Sequence, residues 1–140
     1  MIREGNGAED ALDVCLRLAR VNALMVRRFD GALGALHGVG LSDFMVLAAL
    51  DAAPEGQLRR VDLADRLGLT ASAVTRIVAP LERIGLVARV ADPGDARVGL
   101  ARLTATGRER YREARVAAEC VAAEVAPQLR NATGLAGAAR

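Results

Sequence analysis

The stretch from Arg60 to Gly107 constrains this chain more than any other part of it. It runs V-D-L-A-D-R-L-G-L-T-A-S-A-V-T-R-I-V-A-P-L-E-R-I-G-L-V-A-R-V, then D-P-G-D-A-R, then V-G-L-A-R-L-T-A-T-G. Apolar spacing predicts a short helix over Val61–Leu67 with Leu63, Ala64 and Leu67 inward, a turn at Gly68, and a longer helix capped by Thr70 or Ser72. That second helix runs to about Ile84 and stops at Gly85. Two Val- and Leu-rich strands follow, Leu86–Val90 and Val98–Leu103, and Asp92-Pro-Gly-Asp reverses the chain between them. A helix-turn-helix with a hairpin wing is the expected result. Such an arrangement offers a helix to one DNA groove and an arginine to another.

The flanks read as helices. Over about Ala11–Leu36, Leu12, Cys15, Leu16, Ala19, Ala23, Val26 and Leu33 form an apolar arc flanked by Leu18, Met25 and Phe29. The arc covers more than half of the helical wheel, wider than one buried face requires, so this helix is expected to pack on its own domain and on a partner. Ser42 reads as the N-cap of a helix through about Ala52 that Pro54 ends, and Glu55–Arg59 reads as a linker. Thr104 caps a last helix whose Tyr111, Ala114, Ala118, Val121 and Val125 make a narrow seam for close helix packing. Pro127 is expected to end or bend it, leaving a tail with few anchors.

A length of 140 residues suits one domain. The composition, 52% hydrophobic but 2% aromatic, favours a mainly helical fold with a small β-hairpin. The winged helix-turn-helix part spans about 42–103, between dimerisation helices at about 11–36 and 104–140. All 19 basic residues are arginines. Net charge is +2, but residues 59–112 carry eleven arginines against six acids, while residues 1–58 carry five against eight. The positive excess therefore falls on the motif, as a polyanion-binding surface requires.

The polar start does not read as a signal peptide, and no apolar run is long enough to span a membrane, so a cytoplasmic location is expected. The two cysteines have neither metal-site nor disulfide spacing, and His37 stands alone in a Gly-rich loop, so no metal or other cofactor is expected. With no nucleophile–base pairing and no phosphate-cradling loop, an enzyme is not expected either.

In the second helix of the motif Val74, Ile77, Val78, Leu81 and Ile84 face inward by spacing, so Ser72, Thr75, Arg76, Ala79 and Arg83 face outward. Arg76 has the reach for a bidentate guanine contact, and Ser72 or Thr75 for bases or phosphates. Pro80 costs about 3 kcal/mol inside a helix, and one bent helix is favoured over a fresh start with a single turn left. Arg97, beside the tight turn, is placed for a minor groove, with Asp95 orienting its guanidinium. Arg60 and Arg89 complete the candidate DNA contacts.

The order L-A-D-R-L-G-L-T, A-V-T-R-I-V-x-x-L-E-R-x-G-L-V-x-R, D-P-x-D-x-R, L-T-x-x-G resembles the multiple-antibiotic-resistance regulator (MarR) family over about residues 60–107. The resemblance implies a winged-helix homodimer, usually a repressor, that binds palindromic double-stranded DNA and releases it on meeting a small molecule or an oxidant. It also implies that Arg97 enters the minor groove steadied by Asp95, with Ser72, Thr75 and Arg76 in the major groove. An effector pocket would lie between the dimerising helices and the winged part; with so few aromatics, aliphatic lining and an apolar, anionic ligand are expected. Members usually close the dimer with the first helix and two C-terminal helices, so a chain with only a short tail after Pro127 implies a smaller or differently built interface. Cys15 and Cys120 roughly match cysteines of oxidant-sensing members. Their tyrosine surroundings are missing, however, and a place in the apolar arc favours an inert, buried Cys15. A protein-interaction module without DNA binding is the remaining alternative.

Overall fold

A computed structural model describes residues 10–134; the polar start and the end of the tail lie outside the described residues. The order is α1 (Ala11–His37), α2 (Leu41–Ala52), β1 (Gln57–Arg59), α3 (Arg60–Leu67), α4 (Ala71–Arg83), β2 (Val87–Asp92), β3 (Asp95–Leu103) and α5 (Ala105–Thr133). The sheet is antiparallel in the order β1-β3-β2. The fold is mainly helical, with the winged helix-turn-helix between two long flanking helices.

Local chemistry sets the boundaries. Asp10 caps α1 by accepting the Leu12 N–H, and Gly38 ends it in the left-handed conformation. The start of α2 differs from expectation: its N-cap is Gly40, not Ser42. The Asp43 carboxylate accepts the Gly40 N–H at 2.9 Å, and Asp30, from α1, accepts the Leu41 N–H at 2.7 Å. Two carboxylates thus take the work assigned to one hydroxyl, and Ser42 stays exposed. The expected linker at 55–59 is in fact a 3₁₀ turn, Pro54–Gly56, followed by a third strand. Its hydrogen bonds go to β3, with Leu58 opposite Ala101 and Arg59 opposite Leu100. A three-residue strand is too short to announce itself by alternation.

The core lies where α2, α3, α4 and the sheet meet. Leu47, Leu50, Leu63, Val74, Val78 and Leu81 are all but completely buried. Ile84, expected inward, is exposed because it occupies the C-cap position beyond the last full turn of α4. Both prolines sit inside continuous helices. Pro80 is exposed while Val78 and Leu81 beside it are buried, and this packing carries α4 on to Arg83. Pro127 likewise neither ends α5 nor starts the tail: the helix continues to Thr133. Val125 and Leu129 bracket the proline and pack with Met25 of α1, which holds the helix across the lost hydrogen bond. The helix expected to end or bend at Pro127 therefore runs on to Thr133.

The seam of α5 behaves as expected: Tyr111, Ala114, Ala118, Val121 and Val125 are buried. On α1, by contrast, only Phe29 and Leu33 are fully buried. Leu12, Leu16 and Leu18 are 49–61% exposed, so much of the wide apolar arc has none of the described residues against it.

Candidate nucleic-acid interface

Gly68 makes the turn of the helix-turn-helix at φ 65°, donating its N–H to the end of α3, where a side chain would be strained. Thr70 then caps α4, its Oγ1 accepting the Ala73 N–H at 3.1 Å. Val74, Val78 and Leu81 anchor one face of α4, which turns Ser72, Thr75, Arg76 and Arg83 into solvent. Thr75 donates its hydroxyl hydrogen back to the Ala71 carbonyl, leaving oxygen lone pairs outward. Arg76 and Arg83 form no ion pair among the described residues. They lie seven positions apart, about 10 Å along the axis, so Arg83 stands apart from the cluster at the helix start.

The strands reach further toward the tip than the sequence suggested, and Pro93 and Gly94 alone separate them. Asp92 closes the turn by accepting the Gly94 N–H at 2.8 Å. Asp95 and Arg97 form a closed local unit in which the carboxylate accepts the Arg97 backbone N–H at 3.0 Å and both Nε and Nη2 at 3.1 and 3.2 Å. These bonds, the side-chain one foremost, with some help from the charge of Arg59, hold the Asp95 carboxyl below its ordinary value of 3.8. The Arg97 side chain is nonetheless 91% exposed. It is oriented and fully presented.

Two of the other expected contacts are placed differently from Arg97. The guanidinium of Arg60 is bound to Glu82 at 2.8 Å, tying α3 to α4, and only 28% of each side chain is exposed. The pairing commits Arg60 to the protein rather than leaving it free for phosphate. Arg89 lies across Gly99, so close that a Cβ there would come within 3.0 Å of its Nε, and it stays exposed on the wing. Sequence reasoning missed Arg59. From the end of β1 it reaches Asp92, with Nε at 3.1 Å and Nη2 at 3.0 Å from the same oxygen. The first Asp of D-P-x-D-x-R was the available signal, but its partner lay in the supposed linker.

A groove opens between α1, α2 and α5. Phe29 of α1, Phe44 and Met45 of α2, and Tyr111, Arg115 and Glu119 of α5 border this open groove of about 480 Å³. The Phe44 and Tyr111 rings stand 5.3 Å apart, and Glu119 holds Arg115 at 2.9 Å and keeps it firmly charged. Leu41, Met45, Ala48, Ala118 and Ala122 supply the aliphatic part of the lining, and aromatic rings join them. All three aromatic residues of the chain converge on this groove.

Cys15 and Cys120 are free and exposed, which corrects the buried reading of Cys15: this part of α1 has no covering element among the described residues. Arg28 pairs with Glu124, and Leu24 and Gln128 line the same small pocket, so α1 and α5 run antiparallel. That alignment sets the two thiols at different levels of the helix pair. No single helix of the described residues is long and apolar enough to cross a membrane.

A family model described as the MarR family matches residues 37–98, from the end of α1 into β3. The transcriptional regulator BldR from Sulfolobus solfataricus is 30% identical, and its structure superposes with a TM-score of 0.75, covering 86% of each chain. This chain belongs to the MarR family. The HTH-type transcriptional regulator YdgJ of Bacillus subtilis is 34% identical over 98 residues, 70% of this MarR-family chain but 56% of its own length. BpsR of Bordetella bronchiseptica, whose DNA binding is regulated by 6-hydroxynicotinic acid, is 26% identical with a TM-score of 0.70, covering 79% of this chain and 82% of its own.

Proposed function

We propose that this MarR-family protein is a cytoplasmic homodimer that binds a palindromic DNA operator as a repressor and releases it when a small molecule occupies the aromatic groove. One observation carries the reading: the start of α4 and the wing tip both present exposed polar side chains. Ser72, Thr75 and Arg76 point outward beside one another, and Arg97 stands fully exposed on a carboxylate that orients it. A helix start reads base edges in the major groove, while a narrow minor groove attracts an inserted arginine. The exposed leucines of α1 supply the apolar surface for a second copy, and two copies read half-sites about 34–36 Å apart. BpsR supports effector control, and the groove supplies the chemistry: rings for a flat apolar body and Arg115 for an acidic group.

Titration of the protein's own promoter DNA and a scrambled duplex, at two salt concentrations, tests this reading. Arg76→Ala should cost about 1–3 kcal/mol on the cognate duplex and relax specificity at one position. Arg97→Ala should weaken both duplexes and flatten the salt dependence by about one counterion per wing. An unchanged affinity and salt slope for Arg97→Ala would leave a winged interaction module as the better description. Sedimentation of a monomer at micromolar concentration would overturn the dimer.

A further inference from the structure

We propose that the adjacent residues Arg59 and Arg60 are positioning residues for DNA binding: together they form a brace that fixes the wing relative to α4. The two occupy the last position of β1 and the first of α3, and their side chains reach in different directions. Arg59 goes to Asp92 at the wing's turn, with two nitrogens within 3.1 Å of one carboxylate oxygen. Arg60 goes to Glu82 near the end of α4. One stretch of backbone thereby connects the two elements that present Arg97 and Arg76.

The sheet register shows why the wing needs such a support. β1 pairs with β3 only from Gln57 to Arg59, opposite Arg102 to Leu100. Beyond Leu100 and Val90 the wing is a two-stranded ribbon, and ribbons of that kind are marginal alone and free to twist. The Arg59 guanidinium continues the support of the third strand past its end. It meets an Asp92 side chain that is only 12% exposed and whose other oxygen already closes the turn. Charge argues the same way. Asp92 and Glu82 are carboxylates on a segment of positive excess, where they repel phosphate. Surface pairs of this kind add little to stability. Holding two guanidiniums in place is the use consistent with both facts.

The proposal rests on the DNA-binding reading above, and its test separates the two. Asp92→Asn and Glu82→Gln each remove one negative charge, and Asn can still accept the Gly94 N–H. If Arg59 and Arg60 were phosphate contacts masked by their partners, both substitutions would free them and tighten binding. The brace requires the opposite: roughly tenfold weaker binding to operator DNA for each, the scale of one charge-assisted hydrogen bond. The melting temperature should barely move. Arg59→Gln should weaken binding to a similar extent, and the Arg59→Gln/Asp92→Asn double variant should be no worse than either single change. In the Asp92→Asn background, Arg97→Ala should cost less than in the parent, because the loosened wing no longer delivers Arg97. Unchanged or tighter binding by Asp92→Asn and Glu82→Gln, or additive losses for Arg59 and Asp92, would overturn the brace. Should the parent protein bind operator DNA and Arg97→Ala weaken it while these variants bind normally, the brace alone fails. Should the parent not bind DNA at all, the underlying reading fails.

Discussion

Gly107 has no side chain because the carbonyl oxygen of Leu86 stands where one would be: a Cβ would lie 2.0 Å from it. Thr104 belongs to the same joint, donating its hydroxyl to the Gly85 carbonyl at 2.6 Å while its Oγ1 accepts the Gly107 N–H at 2.9 Å. The L-T-x-x-G motif is thus the fastening of α5 to the end of the helix-turn-helix. Gly107→Ala should force backbone apart and cost at least about 1–3 kcal/mol, the range of overpacking, in urea unfolding. Full stability in that variant would show that α5 shifts freely. The motif was visible in the sequence, but its reason was not, since the opposing carbonyl lies in a distant segment. Asp95 gives a second residue-scale expectation. Its carboxyl is held below the ordinary 3.8, so its contribution is present above that value and lost only as pH falls through the lower, folded value. From about pH 5 to 9 the Asp95–Arg97 unit should therefore stay intact and leave DNA affinity flat. Asp95→Asn should weaken binding throughout that window, and a titration of affinity near pH 5 that this variant abolishes would contradict the assignment.

At the scale of elements, strong periodicity served the reading well and single punctuating residues misled it. The inward face of α3, that of α4 apart from Ile84, the Gly68 turn, the Thr104 cap and the seam of α5 followed from spacing and capping alone, while the structure chose Thr70 over Ser72 as the cap of α4. Ser42 failed as a cap because Asp30, from another helix, reaches the same backbone. β1 was hidden because three residues show no pattern until a partner strand pairs with them. Pro127 reads in sequence as an end or a bend, yet the packing of Val125 and Leu129 on α1 outweighs one missing bond and the helix continues. Its cost should persist as local strain in α5. Pro127→Ala should restore the helical hydrogen bond and raise stability by about 1–3 kcal/mol, given that proline is about 3 kcal/mol worse than alanine in a helix interior. Thermal melting measures it, and a lowered melting temperature would mean that α5 requires the proline's geometry.

For the whole molecule, the aromatic groove is where distant segments converge. Phe29, Phe44 and Tyr111 are unremarkable core residues in sequence, and no spacing rule joins them. Only the packing of α1, α2 and α5 brings them together beside Arg115. α2 also shares the core with α4, so a ligand that moves α2 has a contiguous path to the proposed DNA-contacting helix. An effector acting this way shifts DNA affinity by its differential binding to two states, typically 5–150-fold, and DNA must weaken the effector by the same factor. Under the proposed function Arg115 would select an anionic ligand, since an exposed pair such as that with Glu119 holds weakly and can be exchanged for a ligand carboxylate. Arg115→Gln should therefore lower the affinity for an aromatic carboxylate severalfold and leave its neutral amide unaffected. Without ligand, the variant should bind operator DNA as the parent does. Calorimetry with the acid and the amide, set beside DNA titrations with and without each, measures all three quantities. Equal losses for acid and amide would assign Arg115 a packing role, and an effector that binds the groove without changing DNA affinity would separate the groove from regulation.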